Sequence, residues 1–202
     1  MEIYHPQDEE LIREMRRVRR AAKRKRLLWG LLIALTLTAL TGWLVFNQFF
    51  ALAINQGPGM STALPEGSVV LIRRGNGKDI QRGDIILYED ETGWQLKRAV
   101  AVAGDRVVIN PYGELRVNSE EISADSFAGR TADTGITARR LTVPENEVFV
   151  QGDQLSLSVD SRYRDYGTVA AENVTGKAAW LLWPLYRFGA PAKVLVEGGG
   201  GE

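Results

Sequence analysis

Few groups in this chain are suited to acid–base or nucleophilic chemistry. The 202 residues include no cysteine, which excludes a thiol nucleophile, and the one histidine is His5. Lysine is the general base that remains, and Lys97 is the strongest candidate. It lies in KRAVAVAGD, where alternation along a strand would place it on one face with Ala99 and Ala101. Such apolar surroundings lower the pKa of a lysine from about 10.4 towards neutrality and free its lone pair.

A stretch without charge divides the chain into two parts. Residues 1–26 carry 9 Lys and Arg against 5 acids, residues 55–202 carry 16 against 20, and residues 27–54 carry no charge. About 20 apolar residues suffice to cross a bilayer, so residues 27–54 are predicted to form a single transmembrane anchor. The positive-inside rule places the basic leader, residues 1–26, in the cytosol and the rest outside the plasma membrane. This topology separates His5 from any outer site and excludes a Ser-His-Asp triad.

Two other interpretations of the N-terminal region are less favoured. Ala51-Leu52-Ala53 resembles the cleavage site of a signal peptide, but the apolar stretch exceeds the roughly 7 to 15 residues typical of such peptides. The basic run RRVRRAAKRKR directly precedes the apolar stretch, so we expect it to face the phospholipids of the bilayer. We predict no nucleic-acid partner.

Residues 55–191 are predicted to form a mainly β domain outside the membrane. Short runs rich in Val, Ile and Leu alternate with Gly, Asn, Asp and Pro, a pattern typical of antiparallel strands. Residues 119–141 are polar and predict a long surface loop that Ile122, Phe127 and Ile136 could fix to the core. The run from Trp180 to Trp183 fits either contact with the outer leaflet or a buried final strand. Residues 192–202 are predicted to be a flexible tail.

Two motifs of the outer domain resemble signal peptidase I, a family of membrane-anchored Ser-Lys peptidases. The family segment K-R-V-x-G-x-x-G-D corresponds to Lys97, Arg98, Ala99, Gly104 and Asp105, with Ala101 replacing the inner glycine. The family segment G-D-N-x-x-x-S-x-D-S-R corresponds to Gly152, Asp153, Gln154, Ser158, Asp160, Ser161 and Arg162, with Gln154 replacing the asparagine. The resemblance runs from the basic leader to about Gly189 and implies a signal-peptidase-like antiparallel β domain on one N-terminal transmembrane helix.

The resemblance also implies roles for individual residues. Lys97 would be the general base, and Ser158 would orient its amine by a hydrogen bond. Asp160 and Arg162 would form a supporting ion pair, with Asp153 as a further supporting residue. No metal and no cofactor are implied.

The family nucleophile is missing at its usual position. The family segment S-M-x-P-T-L-x-x-G-D corresponds to GMSTALPEGS, so Gly59 occupies the position of the serine. Ser61 is the possible substitute nucleophile. On an extended backbone its hydroxyl would lie roughly 6 to 7 Å further along, whereas a nucleophile and its base must approach to about 3 Å. A loop with a different path, which the run Gly57-Pro58-Gly59 permits, could recover the distance.

Three functions remain open at this stage. The favoured one is a divergent or inactive signal peptidase relative that binds signal-peptide-like segments of exported preproteins, or pilin-type proteins. The alternative is an active serine endopeptidase that uses Ser61 and Lys97. A third is an anchored β domain with an unrelated binding function, which would be indicated if Lys97 lay far from Gly59 and Ser158.

Overall fold

A long helix precedes the β structure of this chain. The computed structural model describes residues 6–110, 115–118, 120–121 and 139–192, and the chain forms two compact units, Met1–Gln48 and Phe49–Glu202. Helix α1 (Pro6–Phe49) has 44 residues, a length of about 66 Å. Its apolar part is long enough to cross a membrane.

Threonine hydroxyls within the apolar part of α1 are satisfied by the helix itself. Thr36, Thr38 and Thr41 each donate a hydrogen bond of 2.8 Å to a backbone carbonyl three or four residues earlier. This bonding removes the cost of placing an unpaired hydroxyl in hydrocarbon. The threonines are therefore compatible with the predicted transmembrane anchor.

The second unit is built from antiparallel strands. They are β1 (Phe50–Ile54), β2 (Val69–Arg74), β3 (Ile85–Asp90), β4 (Gly93–Val102), β5 (Arg106–Ile109), β6 (Leu115–Val117), β7 (Glu120–Glu121), β8 (Arg139–Thr142), β9 (Glu147–Gln151), β10 (Val169–Ala170) and β11 (Val174–Trp183). One sheet has the order β1-β2-β11-β3-β4-β9-β10, and the other has the order β7-β6-β5-β8. The predicted class, a mainly antiparallel β domain after one N-terminal apolar helix, is confirmed.

The predicted anchor, residues 27–54, differs from the structure at its C-terminal end. Helix α1 stops at Phe49, and β1 pairs along its whole length with β2, from Phe50 opposite Arg73 to Ile54 opposite Val69. Ala51 and Ala53 alternate towards the core of the sheet. An apolar run of five residues has no helical or strand signature of its own, so its pairing partner decides the conformation.

Alternate residues of β3 pack on opposite faces of the larger sheet. Ile85 and Leu87 pack with Met60 and Leu64 on one face, while Ile86 and Tyr88 pack on the other. Met60 and Leu64 flank the predicted Ser61 position and are 1% and 0% exposed. The core therefore holds the segment around residue 59 against the sheet.

The final run of the domain is a strand at the centre of the larger sheet. Strand β11 lies between β2 and β3, and Leu181 is buried in the core while Trp180 and Trp183 are about half exposed. The interpretation of this run as a final strand is thus confirmed for its backbone. Most of the predicted loop, including Ile122, Phe127 and Ile136, lies outside the described residues, as do residues 193–202 of the predicted tail.

Gly176→Ala is expected to destabilise the fold by about 3 kcal/mol, because the added methyl group would overpack the sheet. A Cβ at residue 176 would lie 2.2 Å from the backbone oxygen of Arg73 on β2, and a backbone atom of a strand paired on both sides cannot easily move aside. Gly75→Ala is the matched control, because a Cβ there meets nothing within 4 Å. Urea denaturation of the full chain in detergent micelles measures both, and equal midpoints would contradict the prediction.

Candidate active site

Lys97 and Ser158 meet in the interior of the outer domain. Lys97 lies on β4, and Ser158 ends the short turn Leu155–Leu157 that follows β9. The Lys97 Nζ donates a hydrogen bond of 2.8 Å to the Ser158 Oγ. Both residues are buried, at 7% and 3% exposure. The pair joins the two sequence motifs across 61 residues.

Gly59 completes this cluster. An ideal Cβ on Gly59 would lie 3.3 Å from the Lys97 Nζ and 3.6 Å from the Ser158 Oγ. The φ angle of Gly59 is outside the left-handed region, so an ordinary side chain is compatible with its backbone. A serine hydroxymethyl group at this position would therefore enter hydrogen-bonding range of the lysine amine.

Gly152 allows the segment with Gly59 and the turn with Ser158 to approach each other closely. A Cβ on Gly152 would lie 2.2 Å from the Ser158 Oγ and 2.7 Å from the Gly59 backbone oxygen, both closer than real contacts. The Gln154 amide donates a hydrogen bond of 2.9 Å to that same Gly59 oxygen. Sequence analysis assigned Gly152 no role, because a steric requirement of this kind appears only when the neighbouring segment is known.

Two buried ion pairs fix the segment that carries Ser158. The Arg162 Nε donates to the Asp160 Oδ1 at 2.8 Å, and both side chains are fully buried. Arg98 binds Asp153 with two hydrogen bonds of 2.7 Å. The Gly152 amide donates to the Asp160 Oδ2 at 3.0 Å, which links the pair to the turn.

Arg98 ties together three parts of the chain that sequence analysis left separate. Besides Asp153, its Nη1 donates to the backbone oxygens of Gly83 at 2.8 Å and Ala192 at 3.0 Å. Ala192, the first residue of the predicted tail, is thus held by a hydrogen bond. The only sequence signal for this role was the position of Arg98 directly after Lys97.

Burial lowers the pKa of Lys97 from its ordinary value. The carboxylate of Asp160 opposes the shift, the guanidinium of Arg162 adds to it, and the carboxylate of Asp90 opposes it again. The net direction is downward because removing an ammonium ion from water costs more than these charges return. A lowered pKa raises the fraction of neutral amine, which is the form that accepts a proton.

Ser61 lies at the end of a turn, so the case of an extended backbone does not apply. Pro58–Met60 form a 3-10 turn, and Ser61 closes it with φ −60° and a hydrogen bond from its amide to the Pro58 oxygen. Successive residues in such a turn rotate by about 120°, so the Cα–Cβ bond of Ser61 is turned by about 240° from that of residue 59. The side chain of Ser61 therefore points in a different direction from the one that a side chain at residue 59 would have. It does not simply lie further along the same face.

The strand that carries Lys97 also departs from strict alternation. The register of β4 against β9 shifts between Ala99 and Ala101, which marks a bulge. As a result Val100 and Ala101 both pack in the core cluster between the two sheets. The expectation that Ala101 shares a face with Lys97 therefore fails at this bulge, because an extra residue inverts the side-chain direction.

No cluster of three or more His, Cys, Asp or Glu side chains suited to a metal ion occurs among the residues that the structure describes. His5 lies outside them.

Comparison with known proteins gives one consistent family. A family model described as "Signal peptidase, peptidase S26" matches residues 26–183. The chain is 31% identical over 151 residues to the mitochondrial ATP-independent inner membrane protease subunit 1b of Arabidopsis thaliana, covering 71% of this chain and 76% of that protein. It is 27% identical over 201 residues to signal peptidase I of Streptococcus pneumoniae, covering 80% and 94%. A crystal structure of signal peptidase I from Enterococcus faecalis V583 aligns with a TM-score of 0.40 at 28% identity, covering 50% of this chain and 97% of that one.

Lys97→Met is expected to raise stability at neutral pH, and the gain should shrink as the pH rises. With the folded-state pKa depressed, the unfolded chain binds more protons between the folded and unfolded pKa values, so the free energy of unfolding of the wild type increases across that range. Each pKa unit of depression corresponds to about 1.4 kcal/mol. Urea titrations of the full chain at a series of pH values measure the difference.

The control for this titration is Lys78→Met, at an exposed position on the same domain. The difference in free energy of unfolding between Lys78→Met and the wild type should not change with pH in the same way. A stability difference between Lys97→Met and the wild type that does not depend on pH would contradict a buried amine with a lowered pKa.

Arg162→Met is expected to destabilise the chain by about 3 to 5 kcal/mol, because it leaves the Asp160 carboxylate buried without its partner. Lys177→Met removes one partner of the less deeply buried pair with Asp84, whose side chains are 22% and 8% exposed, and should cost less. Thermal unfolding followed by circular dichroism compares the two variants. Similar losses would argue that complete burial of the Asp160 pair makes its loss no more costly than that of a partly exposed pair.

Proposed function

The chain belongs to the signal peptidase family, peptidase S26, and we propose that it binds signal-peptide-like segments of exported preproteins without cutting them efficiently. One observation carries the proposal. Gly59 faces the Lys97 amine and the Ser158 hydroxyl, so the base and its partner are present, but the residue opposite them has no oxygen. The domain would keep the family's peptide-binding surfaces while lacking its nucleophile.

The missing serine oxygen matters because it takes part in each step of Ser-Lys hydrolysis. The serine oxygen gives its proton to the neutral lysine, attacks the peptide carbonyl and forms an ester while the amine product takes the proton from the lysine. Glycine supplies neither the oxygen nor the proton. Losing the nucleophile of a serine protease lowers turnover by about 10⁶-fold.

Peptide binding does not need the hydroxyl. Strand β1 lies at one end of the larger sheet, and an extended peptide can add to an edge strand through backbone hydrogen bonds. Ala51 and Ala53 of β1 pack against the cluster that also contains Met60 and Leu64, beside the Gly59 segment. Because Ile54 at the end of β1 precedes Gly59 by only five residues, this edge is continuous in sequence with the segment that contacts Lys97.

Hydrolysis through Ser61 is the enzymatic alternative. The 3-10 turn at Pro58–Met60 weighs against it, because it turns Ser61 away from the direction of residue 59. A rearrangement of this turn on binding would be needed to bring the Ser61 hydroxyl to the amine of Lys97. A pilin-type partner stays a prediction from the family resemblance alone.

The proposed setting is a single-pass membrane protein with its N-terminus in the cytosol. The part of α1 from Met15 to Phe49 is long and apolar enough to cross a bilayer, and basic residues precede its apolar part. The positive-inside rule then directs the β domain to the outer side, where signal peptides emerge.

Gly59→Ser is expected to create cleavage of a model preprotein, by up to about 10⁶-fold over the wild type. The new Cβ requires the flexible end of Lys97 to move by only a few tenths of an ångström, and the new hydroxyl lies beside the amine. Cleavage by the detergent-solubilised full chain is followed by gel and mass spectrometry. Gly75→Ser, at an open site, is the matched control and should stay inactive.

Two results would decide against the proposal. Cleavage by the unmodified protein that is lost in both Ser61→Ala and Lys97→Met would establish the enzymatic alternative. A folded Gly59→Ser chain without activity would contradict the correspondence of residue 59 with the family nucleophile.

A further inference from the structure

A cavity with basic walls lies beside the first strand of the second unit. Its volume is about 310 Å³, and the residues that line it include Phe49, Phe50, Arg73, Arg74 and Lys177. We infer that this cavity binds the phosphate group of a phospholipid headgroup in the outer leaflet of the membrane. Such binding is independent of the proposed peptide binding and involves no covalent step.

Strand pairing brings two of the cations to one place. Arg73 on β2 is directly opposite Lys177 on β11 and, on its other side, directly opposite Phe50 on β1. Directly opposite residues share a face of the sheet, and their Cβ atoms lie about 4.5 to 5.5 Å apart. Like charges in this arrangement repel each other and destabilise the pairing. An anion bound beside both side chains would offset that repulsion.

The two arginines have donors left for such an anion. Within the described residues, the guanidinium of Arg73 has no hydrogen-bond or ion-pair partner. Arg74 donates from its Nε to the backbone oxygen of Phe50 at 3.2 Å, which holds its guanidinium at the cavity wall and leaves its two terminal nitrogens. Planar guanidinium groups match the geometry of phosphate oxygens and bind them through paired N–H groups.

Lys177 is partly neutralised, and the cavity still carries positive charge. The Lys177 Nζ donates to the Asp84 Oδ2 at 2.8 Å and to the backbone oxygen of Asp79 at 3.2 Å. The three cations that line the cavity outnumber the two carboxylates of Asp79, which also lines it, and Asp84, which binds Lys177. The lining therefore favours an anion over a neutral or cationic group.

The position of the cavity along the chain favours a lipid over free phosphate. Phe49 is the last residue of α1, whose apolar part is long enough to cross a membrane, and Phe49 itself lines the cavity. No residue separates it from Phe50, the first residue of β1 and a second lining residue. The cavity thus follows directly on the end of the predicted anchor, where headgroups are found.

The face of the sheet that carries the cations is otherwise apolar. Phe50, Leu52 and Ile54 alternate along β1 with two alanines that pack in the core, and Leu52 and Ile54 are 61% and 60% exposed. Phe50 and Arg73 are opposite each other, so this exposed apolar row ends at the cations. Apolar groups bordered by Lys and Arg are typical of surfaces that lie among lipid headgroups.

The test measures lipid contact beside the cavity. The chain has no cysteine, so Gln81→Cys carries a single bimane fluorophore next to Ile80, another residue that lines the cavity. Full-length protein in micelles of a neutral detergent is titrated with phosphatidylglycerol that has a nitroxide on one acyl chain. Nitroxide quenches only at short range, so lipid attracted elsewhere by the basic leader does not contribute to the signal.

Protein variants connect the quenching with the arginines. Arg73→Gln and Arg74→Gln should each weaken the apparent affinity for the lipid by about 10-fold, the effect of one lost hydrogen bond to a charged group. Arg106→Gln removes the same charge from an exposed position on β5 of the smaller sheet and should change the affinity by less than about twofold. Circular dichroism verifies that each variant is folded.

Competition separates the possible ligands. Unlabelled phosphatidylglycerol should reverse the quenching, whereas diacylglycerol with the same chains, which has no phosphate, should not. Inorganic phosphate should compete far more weakly than the lipid. If it competes equally well, the cavity takes free phosphate and the assignment to a lipid is overturned.

Two other results would overturn the phosphate site itself. One is equal affinity for the lipid in the wild type and in both folded arginine variants. The other is competition by diacylglycerol as strong as that by phosphatidylglycerol, which would mean that apolar contact alone accounts for the quenching. Neither result would affect the proposal that the domain binds peptides.

Discussion

The close approach of two backbone segments at Gly152 is the constraint on which the site depends. The segment with Gly59 and the turn that carries Ser158 come so near that a single methyl group on Gly152 would overlap both. The hydrogen bond from the Gln154 amide to the Gly59 oxygen holds them at this separation. The Lys97 amine is within reach of both segments only because they converge here.

The electrostatics of the site follow from which charges are already paired. Asp153 is bound by Arg98 and Asp160 by Arg162, so within the described residues neither carboxylate forms an ion pair with Lys97. Each pair is close to neutral as a unit, and each holds its part of the chain in place. Lys97 is therefore buried without an ion-pair partner of its own among the described residues, and burial outweighs the attraction of Asp160 and Asp90, so the pKa of its amine is lowered. The ion pairs thus influence the pKa of Lys97 as well as the geometry of the site.

Sequence patterns predicted the elements that depend on local composition. The apolar helix and the antiparallel strands agree with the structure. The hydrogen bond between Lys97 and Ser158 joins residues 61 positions apart, and it was implied by the family resemblance rather than by composition. What could not be predicted depends on partners distant in sequence. Phe50–Ile54 forms a strand because β2 lies beside it, and the bulge in β4 arises from its register with β9.

The turn at Pro58–Met60 is a third feature that could not be predicted from the sequence. Its sequence, with Gly57 and Gly59 around a proline, permits many backbone paths, and packing of Met60 and Leu64 into the core selects one of them. Whether Ser61 could face Lys97 was therefore not decidable from spacing. The same holds for Arg98, whose three partners come from separate parts of the chain.

The ordinary backbone conformation of Gly59 also determines how easily this residue can change. Seven other described glycines of the domain, at 57, 67, 83, 93, 104, 167 and 189, have positive φ angles and could change only with strain, but Gly59 has no such restraint. A serine at residue 59 would therefore need neither a strained backbone nor any repacking of the core, only a small shift of the flexible end of Lys97.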